Sequence, residues 1–328
     1  MTSATTDDAL AKADECARIV AAGWGIAAEP TSLGSMQDNV FRLDIDGVPT
    51  AALKLSPPSR VDEHALDGEA EFLRHVAYDL PWLALPVLQP GLDGRLLQHQ
   101  GSVTARMMAW VGGEPLARAP HFTASTLHAL GRISGRISRS LARFDHPGLH
   151  RNVEWDPRRA VATLERLVPR LDGEQRELIL EALAQIDQLP PEHDMRLPWQ
   201  AVHLDLTDFN IIGRFEPTGD FFPEGIVDFG DIVWTWRSCE LAVTAHAAIG
   251  RNPGDPLAAL APVVEGYLCG QDLTATECDH LWTLIIARAA VCAAAEHLEA
   301  SGSPDNDYAQ TLATVSYTHL TLPTNREV

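Results

Sequence analysis

The stretch from Ala201 to Glu240 constrains this chain most, because two short apolar runs turn back on one another there between oxygen-bearing side chains. Ile211 to Phe215 forms the first run, residues 216 to 224 carry two prolines and a glycine, and Gly225 to Val227 resumes the apolar text. That order predicts a β-hairpin with a long loop. In any hairpin the residue entering the first strand and the residue leaving the second lie at one end, so Asn210 and Asp228 are expected side by side. Asp205 stands just upstream on a loop, which brings three oxygen-bearing side chains into one small volume. A hard cation such as Mg²⁺ takes oxygen ligands, usually one or two from the protein and the rest from water and phosphates. Two ligands and one unligated carboxylate suit it.

The rest of the chain changes period partway along. A helix is expected over residues 8 to 22. Val40 and Leu43 to Ile45 then form one arm of a hairpin, Asp46-Gly47 its tight turn and Ala51 to Leu55 the other arm. Lys54 lies inside that second apolar strand, where a charge is costly unless an anion meets it. A helix over about Leu66 to Ala77 carries Glu69 at the border of its buried face, one turn before Leu73. Two more strands follow at Leu96 to Gln98 and Val103 to Trp110. From Ser125 the apolar residues Leu127, Leu130, Ile133, Ile137, Leu141 and Phe144 step by three or four, which marks an amphipathic helix. Arg132, Arg136, Arg139 and Arg143 form its solvated face. Further helices are expected at about 157 to 171 and 174 to 188, then at Cys239 to Ile249, Pro256 to Cys269 and Ala275 to Leu298. Strands therefore dominate early and helices late, dividing the chain into 1–111 and 112–315.

His203-Leu204-Asp205, four residues and Asn210, followed by Asp228-Phe229-Gly230, resemble the catalytic loop and metal-binding turn of the kinase-like phosphotransferases, the superfamily of aminoglycoside, choline and homoserine kinases. Three phrases resemble the hydroxylysine kinase branch and the phosphotransferase domains fused ahead of class III aminotransferases: Phe144-Asp145-His146-Pro147 running on to Trp155-Asp156, Val227-Asp228-Phe229-Gly230-Asp231, and Cys239-Glu240-Leu241-Ala242. The family usually has Gly where Leu204 stands. The resemblance implies an α+β, protein-kinase-like two-lobed fold, with a small antiparallel N-terminal sheet lobe and a larger, mainly helical C-terminal lobe. It implies transfer of the γ-phosphate of ATP or GTP, with Mg²⁺, to a hydroxyl of an amino-alcohol or hydroxylated amino acid. Asp205 would be the catalytic base, Asn210 and Asp228 the metal ligands, and Lys54 the partner of the α and β phosphates, held by Glu69. Gly34 and Ser35 would cover the phosphates, and Met108 and Trp110 would line the base pocket. His203 would brace the loop, Asp208 would lie at the surface, and Asp231 and Glu240 would meet the substrate's ammonium. Two alternatives stand beside this reading, an aminoglycoside-type antibiotic phosphotransferase and a catalytically silent kinase-like binding domain.

Composition narrows the partners. A net charge of -20 over 328 residues argues against nucleic acid and anionic membrane, which need clustered Lys and Arg, and suits a small cationic hydroxylated substrate. Five cysteines without a CxxC pair, and an acidic N-terminus in place of a secretory signal, lead to the expectation of a cytoplasmic protein. No run reaches the roughly 20 apolar residues of a membrane-spanning helix. Residues 316–328 are Thr-rich and aperiodic and are expected to be a non-native tail, with a further C-terminal domain possible in the native protein.

Overall fold

The computed structural model describes residues 3–33, 39–192, 194–252 and 254–302. Gly34, Ser35 and the Thr-rich tail lie outside the described residues. The chain opens on helix α1 (Ser3–Trp24), followed by strands β1 (Glu29–Ser32), β2 (Asn39–Ile45) and β3 (Val48–Ser56), helix α2 (Glu63–Asp79), and strands β4 (Leu88–Gln89), β5 (Gln98–Gln100) and β6 (Val103–Ala109). These six strands form one antiparallel sheet in the order β1-β2-β3-β6-β4, with β5 also on β6. Asp46 and Gly47 at the β2–β3 turn have φ of 52° and 75°. This is the primed turn whose twist matches the strands it joins.

Alternation along the strands decides what the sheet offers to the rest of the molecule. Phe41, Leu43, Leu53, Leu55, Ala105 and Met107 are buried with Val20 and Trp24 of α1 on one face. Lys54 and Arg106, one residue out of that pattern, therefore project from the other face. The β3–β6 register sets them directly opposite one another. Asp62 caps α2 by accepting from the N–H groups of His64 and Ala65. Its inner side buries Leu66, Glu69, Phe72, Leu73 and Val76.

The second half contains β7 (Glu114–Pro115), α3 (Ala124–Ser140), α4 (Ala160–Leu167), α5 (Gly173–Ile186), β8 (Trp199–Val202), β9 (Ile211–Phe215), β10 (Phe221–Ile226), β11 (Val233–Trp236), α6 (Ser238–Gly250), α7 (Pro256–Leu268) and α8 (Ala275–Gly302). Its main core runs through α3, α6 and α7 and the strands between them, with Leu130, Ile137, Trp236, Val243 and Tyr267 fully buried. By length and hydropathy α8 could cross a membrane. Here its apolar side is instead buried against α4, α5 and α6, with Leu284, Ala287, Ala290, Val291 and Ala294 inaccessible.

Two elements differ from the sequence expectation. The hairpin loop is shorter than 216–224, because β10 begins at Phe221 and pairs with β9 across a bulge between Pro223 and Gly225. Proline is compatible with this strand because β10 is the outermost of the β10-β9-β7 sheet. The segment from Val233 to Trp236, just ahead of the expected helix at Cys239, is a strand that pairs with β8.

Candidate active site

The open end of the β9–β10 hairpin gathers the acidic residues. Val227 donates its N–H to the Asn210 carbonyl at 2.9 Å, which closes the ladder and leaves Asn210 and Asp228 at the same end. Asn210 Nδ2 donates to the Asp205 backbone carbonyl at 2.9 Å and to its Oδ2 at 2.6 Å. Both amide hydrogens are committed to Asp205, so Oδ1 is the atom left to act as a ligand. Asp228 has φ of 58° and opens to the cleft, where Lys54 Nζ lies 3.8 Å from its Oδ1. Asparagine oxygen plus one carboxylate, facing a cleft rather than a closed cage, fits Mg²⁺, which keeps waters and phosphate oxygens in its shell. Among the described residues no group of three or more His, Cys, Asp or Glu offers a closed metal site.

Leu204, with φ of 66°, holds a left-handed conformation normally taken by glycine. Glu240, at the start of α6, is what braces it. The side chain is inaccessible to solvent, and its Oε2 accepts from the His203 N–H at 2.7 Å. Glu240 is therefore part of the loop's support and does not line the cleft, contrary to the expectation that it meets substrate. Burial pushes its carboxyl up to about 7, with the loop N–H groups opposing the rise. His203 is also fully buried. Its Nδ1 accepts from the Asp205 N–H at 3.2 Å and its ring packs edge-on against Phe229 at 4.5 Å. Burial lowers the His203 pKa to about 4, so the ring is neutral and acts as a brace.

A cavity of about 430 Å³ lies between the sheet and the helices, with Lys54, Asp205, Asn210, Asp228 and Asp231 on its walls. Burial pushes the Asp205 carboxyl up to about 8, with Asp231 and Asp228 adding to the rise and Arg288 and Asn210 opposing it. Asp231 is raised as well, by burial first and then by Asp228. Asp228 is lowered; burial opposes the change, but Lys54 and the Gly230 N–H outweigh it. Three neighbouring carboxylates thus divide into one held as an anion and two held less readily so.

Several expected contacts are placed differently. Glu69 lies on the buried face of α2, but its Oε2 accepts from Arg106 Nη1 at 3.1 Å, in place of the expected pairing with Lys54. Arg106 is opposite Lys54 on the neighbouring strand and takes up the glutamate. Met108 and Trp110 are half-buried on and just after β6, and the cavity does not extend to them. Asp208, expected at the surface, is buried and paired with Arg251 at 2.6 Å.

Two arginines of the site were not anticipated. Arg288 on α8 donates from Nη2 to Asp205 Oδ1 at 2.9 Å and from Nη1 to the Trp155 carbonyl at 3.2 Å. Asp205 thus has an arginine on one oxygen and an asparagine on the other. Arg151 donates from Nε to the Ile232 carbonyl at 3.1 Å and from Nη2 to the Gly230 carbonyl, which fixes the turn after Asp228. Arg288 stands alone as a cation in an Ala-rich helix, and the reasoning that singled out Lys54 in its strand would have found it.

Residues 29–275 match the phosphotransferase enzyme family, and the chain belongs to it. Its two-part architecture is that of the kinase-like fold. Hydroxylysine kinase of Bos taurus is 26% identical over 196 residues, covering 57% of this chain and 51% of the relative. Hydroxylysine kinase of Danio rerio is 23% identical over 187 residues, covering 56% and 52%. The chain thus spans about half the length of the curated relatives it matches. Among solved structures, a microcompartment-associated aminopropanol kinase superposes with a TM-score of 0.70 at 16% identity, over 94% of this chain and 95% of that one. An amicoumacin kinase in complex with AMP-PNP, Ca²⁺ and Ami superposes with a TM-score of 0.69 at 15% identity, over 94% and 92%. At those identities the likeness is one of fold.

Proposed function

We propose that this chain is a small-molecule kinase that transfers the γ-phosphoryl group of ATP or GTP, with Mg²⁺, to a hydroxyl of a hydroxylated amine or amino acid of the hydroxylysine type. The observation that carries this reading is the meeting of Asp205, Asn210 and Asp228 at one mouth of the β9–β10 hairpin, opposite Lys54 on the sheet. Phosphoryl transfer through a loose transition state asks mainly for positioning and charge stabilisation, and that set of groups supplies both. The hydroxyl oxygen bonds to the γ-phosphorus as the bond from phosphorus to the β-γ bridging oxygen breaks, the nucleoside diphosphate departs, and Asp205 takes the hydroxyl proton. Lys54 offsets charge on the α and β phosphates. Asn210 and Asp228 would hold Mg²⁺, which supplies neutralisation of the phosphate oxygens when bound. Asp231 is the cleft carboxylate suited to the acceptor's ammonium. The relatives that act on hydroxylysine support the amino-acid end of this acceptor range.

The test is a coupled ADP or GDP release screen with Mg²⁺ over 5-hydroxylysine, ethanolamine, choline, homoserine and kanamycin, with Asp205→Ala as control. Acceptor-dependent release in the wild type that disappears in the variant is the expected result. Equal, acceptor-independent rates in both would count against a kinase and favour a binding domain.

A further inference from the structure

We propose that Arg106 is a second fixed cation of the nucleotide site, and that the α and β phosphates are gripped by the cross-strand pair Lys54 and Arg106 rather than by Lys54 alone. This rests on the reading of the cleft as a nucleotide site.

Lys54 and Arg106 are direct partners in the β3–β6 ladder and project from the same face of the sheet. Like charges directly opposite one another on a sheet repel, and the side chains of such pairs are only about 5 Å apart at Cβ. Both side chains are mostly shielded, 14% and 17% exposed, and both line the cavity. Dilution by solvent is therefore limited, and the pair needs anions. Glu69 lies 3.1 Å from Arg106, and Asp228 lies 3.8 Å from Lys54. They do not serve equally. Glu69 is 4% exposed and belongs to α2, so it stays with Arg106. Asp228 is the carboxylate assigned to a metal, and once committed there it no longer offsets Lys54 alone. With a divalent cation drawing on Asp228, Lys54 and Arg106 stand side by side on a wall that faces the cleft. A diphosphate group is the anion that fits such a wall. A planar guanidinium can keep one N–H on Glu69 and present others to phosphate oxygens, which a lysine ammonium in the same place would do less specifically. The same geometry explains why Glu69 meets Arg106: its carboxylate positions the second cation.

The experiment compares equilibrium binding of a nucleoside diphosphate with that of its nucleoside, in Mg²⁺ and without acceptor, for wild type, Arg106→Met and Arg106→Lys. ADP and adenosine form one pair of probes, GDP and guanosine the other. In Arg106→Met the diphosphate is expected to bind about tenfold or more weakly while the nucleoside binds as before, and Arg106→Lys is expected to recover part of the loss. A purely structural role for Arg106, as the anchor of α2, would weaken diphosphate and nucleoside together, and that result overturns the inference. Unchanged diphosphate affinity in Arg106→Met, with a clear loss in Lys54→Met, overturns it too while leaving the cleft a nucleotide site. A wild type that binds neither diphosphate overturns the reading of the cleft, and the inference with it.

Discussion

Glu240 supports the loop that carries Asp205 from beneath. Its carboxylate accepts the loop's N–H groups from a site without solvent, and burial raises its pKa from the ordinary 4.5 to about 7. Between those values the unfolded chain has lost the proton and the folded one retains it, so stability falls as pH rises through the window and levels off above 7. The span corresponds to a loss on the order of 3 kcal/mol. Glu240→Gln keeps an acceptor for the His203 N–H and removes the titration. Denaturation midpoints from pH 5 to 8 should therefore fall for wild type relative to the variant, and parallel curves would contradict this role. Arg288 makes a second prediction at the same scale. It supplies the counter-charge on Asp205 Oδ1, in a cluster where Asp228 and Asp231 already disfavour another anion. Arg288→Met is expected to lower kcat by about 10- to 100-fold with nucleotide affinity little changed, as measured by steady-state kinetics and direct binding. Equal losses in both would make Arg288 a folding residue. At this scale, the hairpin pattern placed Asn210 and Asp228 at one end with Asp205 just upstream, and the lone charge in an apolar strand singled out Lys54; the four line one cavity. Glu240 was misplaced, because a carboxylate's partner can be the backbone, and backbone donors leave no mark in the residue order.

Among the elements, the α3–α7 crossing holds the helical half together through glycines. A Cβ at Gly131 would stand 1.9 Å from the Val263 carbonyl oxygen, and one at Gly135 2.2 Å from that of Tyr267. Gly266 and Gly270 meet α3 from the other side in the same way. Backbone cannot yield as a flexible side chain can, so Gly131→Ala should cost about 2 kcal/mol or more by forcing the helices apart. Gly254→Ala, at a position with nothing within 4 Å, is the control for chemical denaturation. Equal midpoints for the two variants would show the crossing to be loose. The helical periodicity from Leu127 onward exposed these helices but not their spacing, which the glycines set. The shorter strands were legible only in part. Proline and glycine mark turns in most contexts, and β10 uses both inside an edge strand with a bulge. The four-residue β11 is too short for its alternation to be told from the helix that follows it.

For the whole molecule, charge balance is a poor guide to the site. A chain of net charge -20 sets Lys54, Arg106, Arg151 and Arg288 around its central cavity, interleaved with Glu69, Asp205, Asp228 and Asp231. An overall charge carries no address, which is why composition suggested a cationic acceptor while the cavity wall is mixed. The two-part architecture was legible from the change of hydrophobic period between Trp110 and Ser125, since strands and helices bury their apolar residues at different spacings. How the two parts face one another depends on contacts distant in sequence, such as Lys54 with Asp228 and the Ala84 N–H with the Glu224 carbonyl. The most direct measurement on the assembled cleft is the transfer of label from a γ-³²P nucleotide to a hydroxylated amine, comparing wild type with Asp205→Asn at saturating Mg²⁺ and checking nucleotide affinity in both. If the cleft is a kinase site, label appears on the acceptor and falls by about 100-fold or more in the variant, with nucleotide affinity nearly unchanged. Labelled acceptor formed equally by both proteins would contradict the assignment of Asp205 and the chemistry built around it.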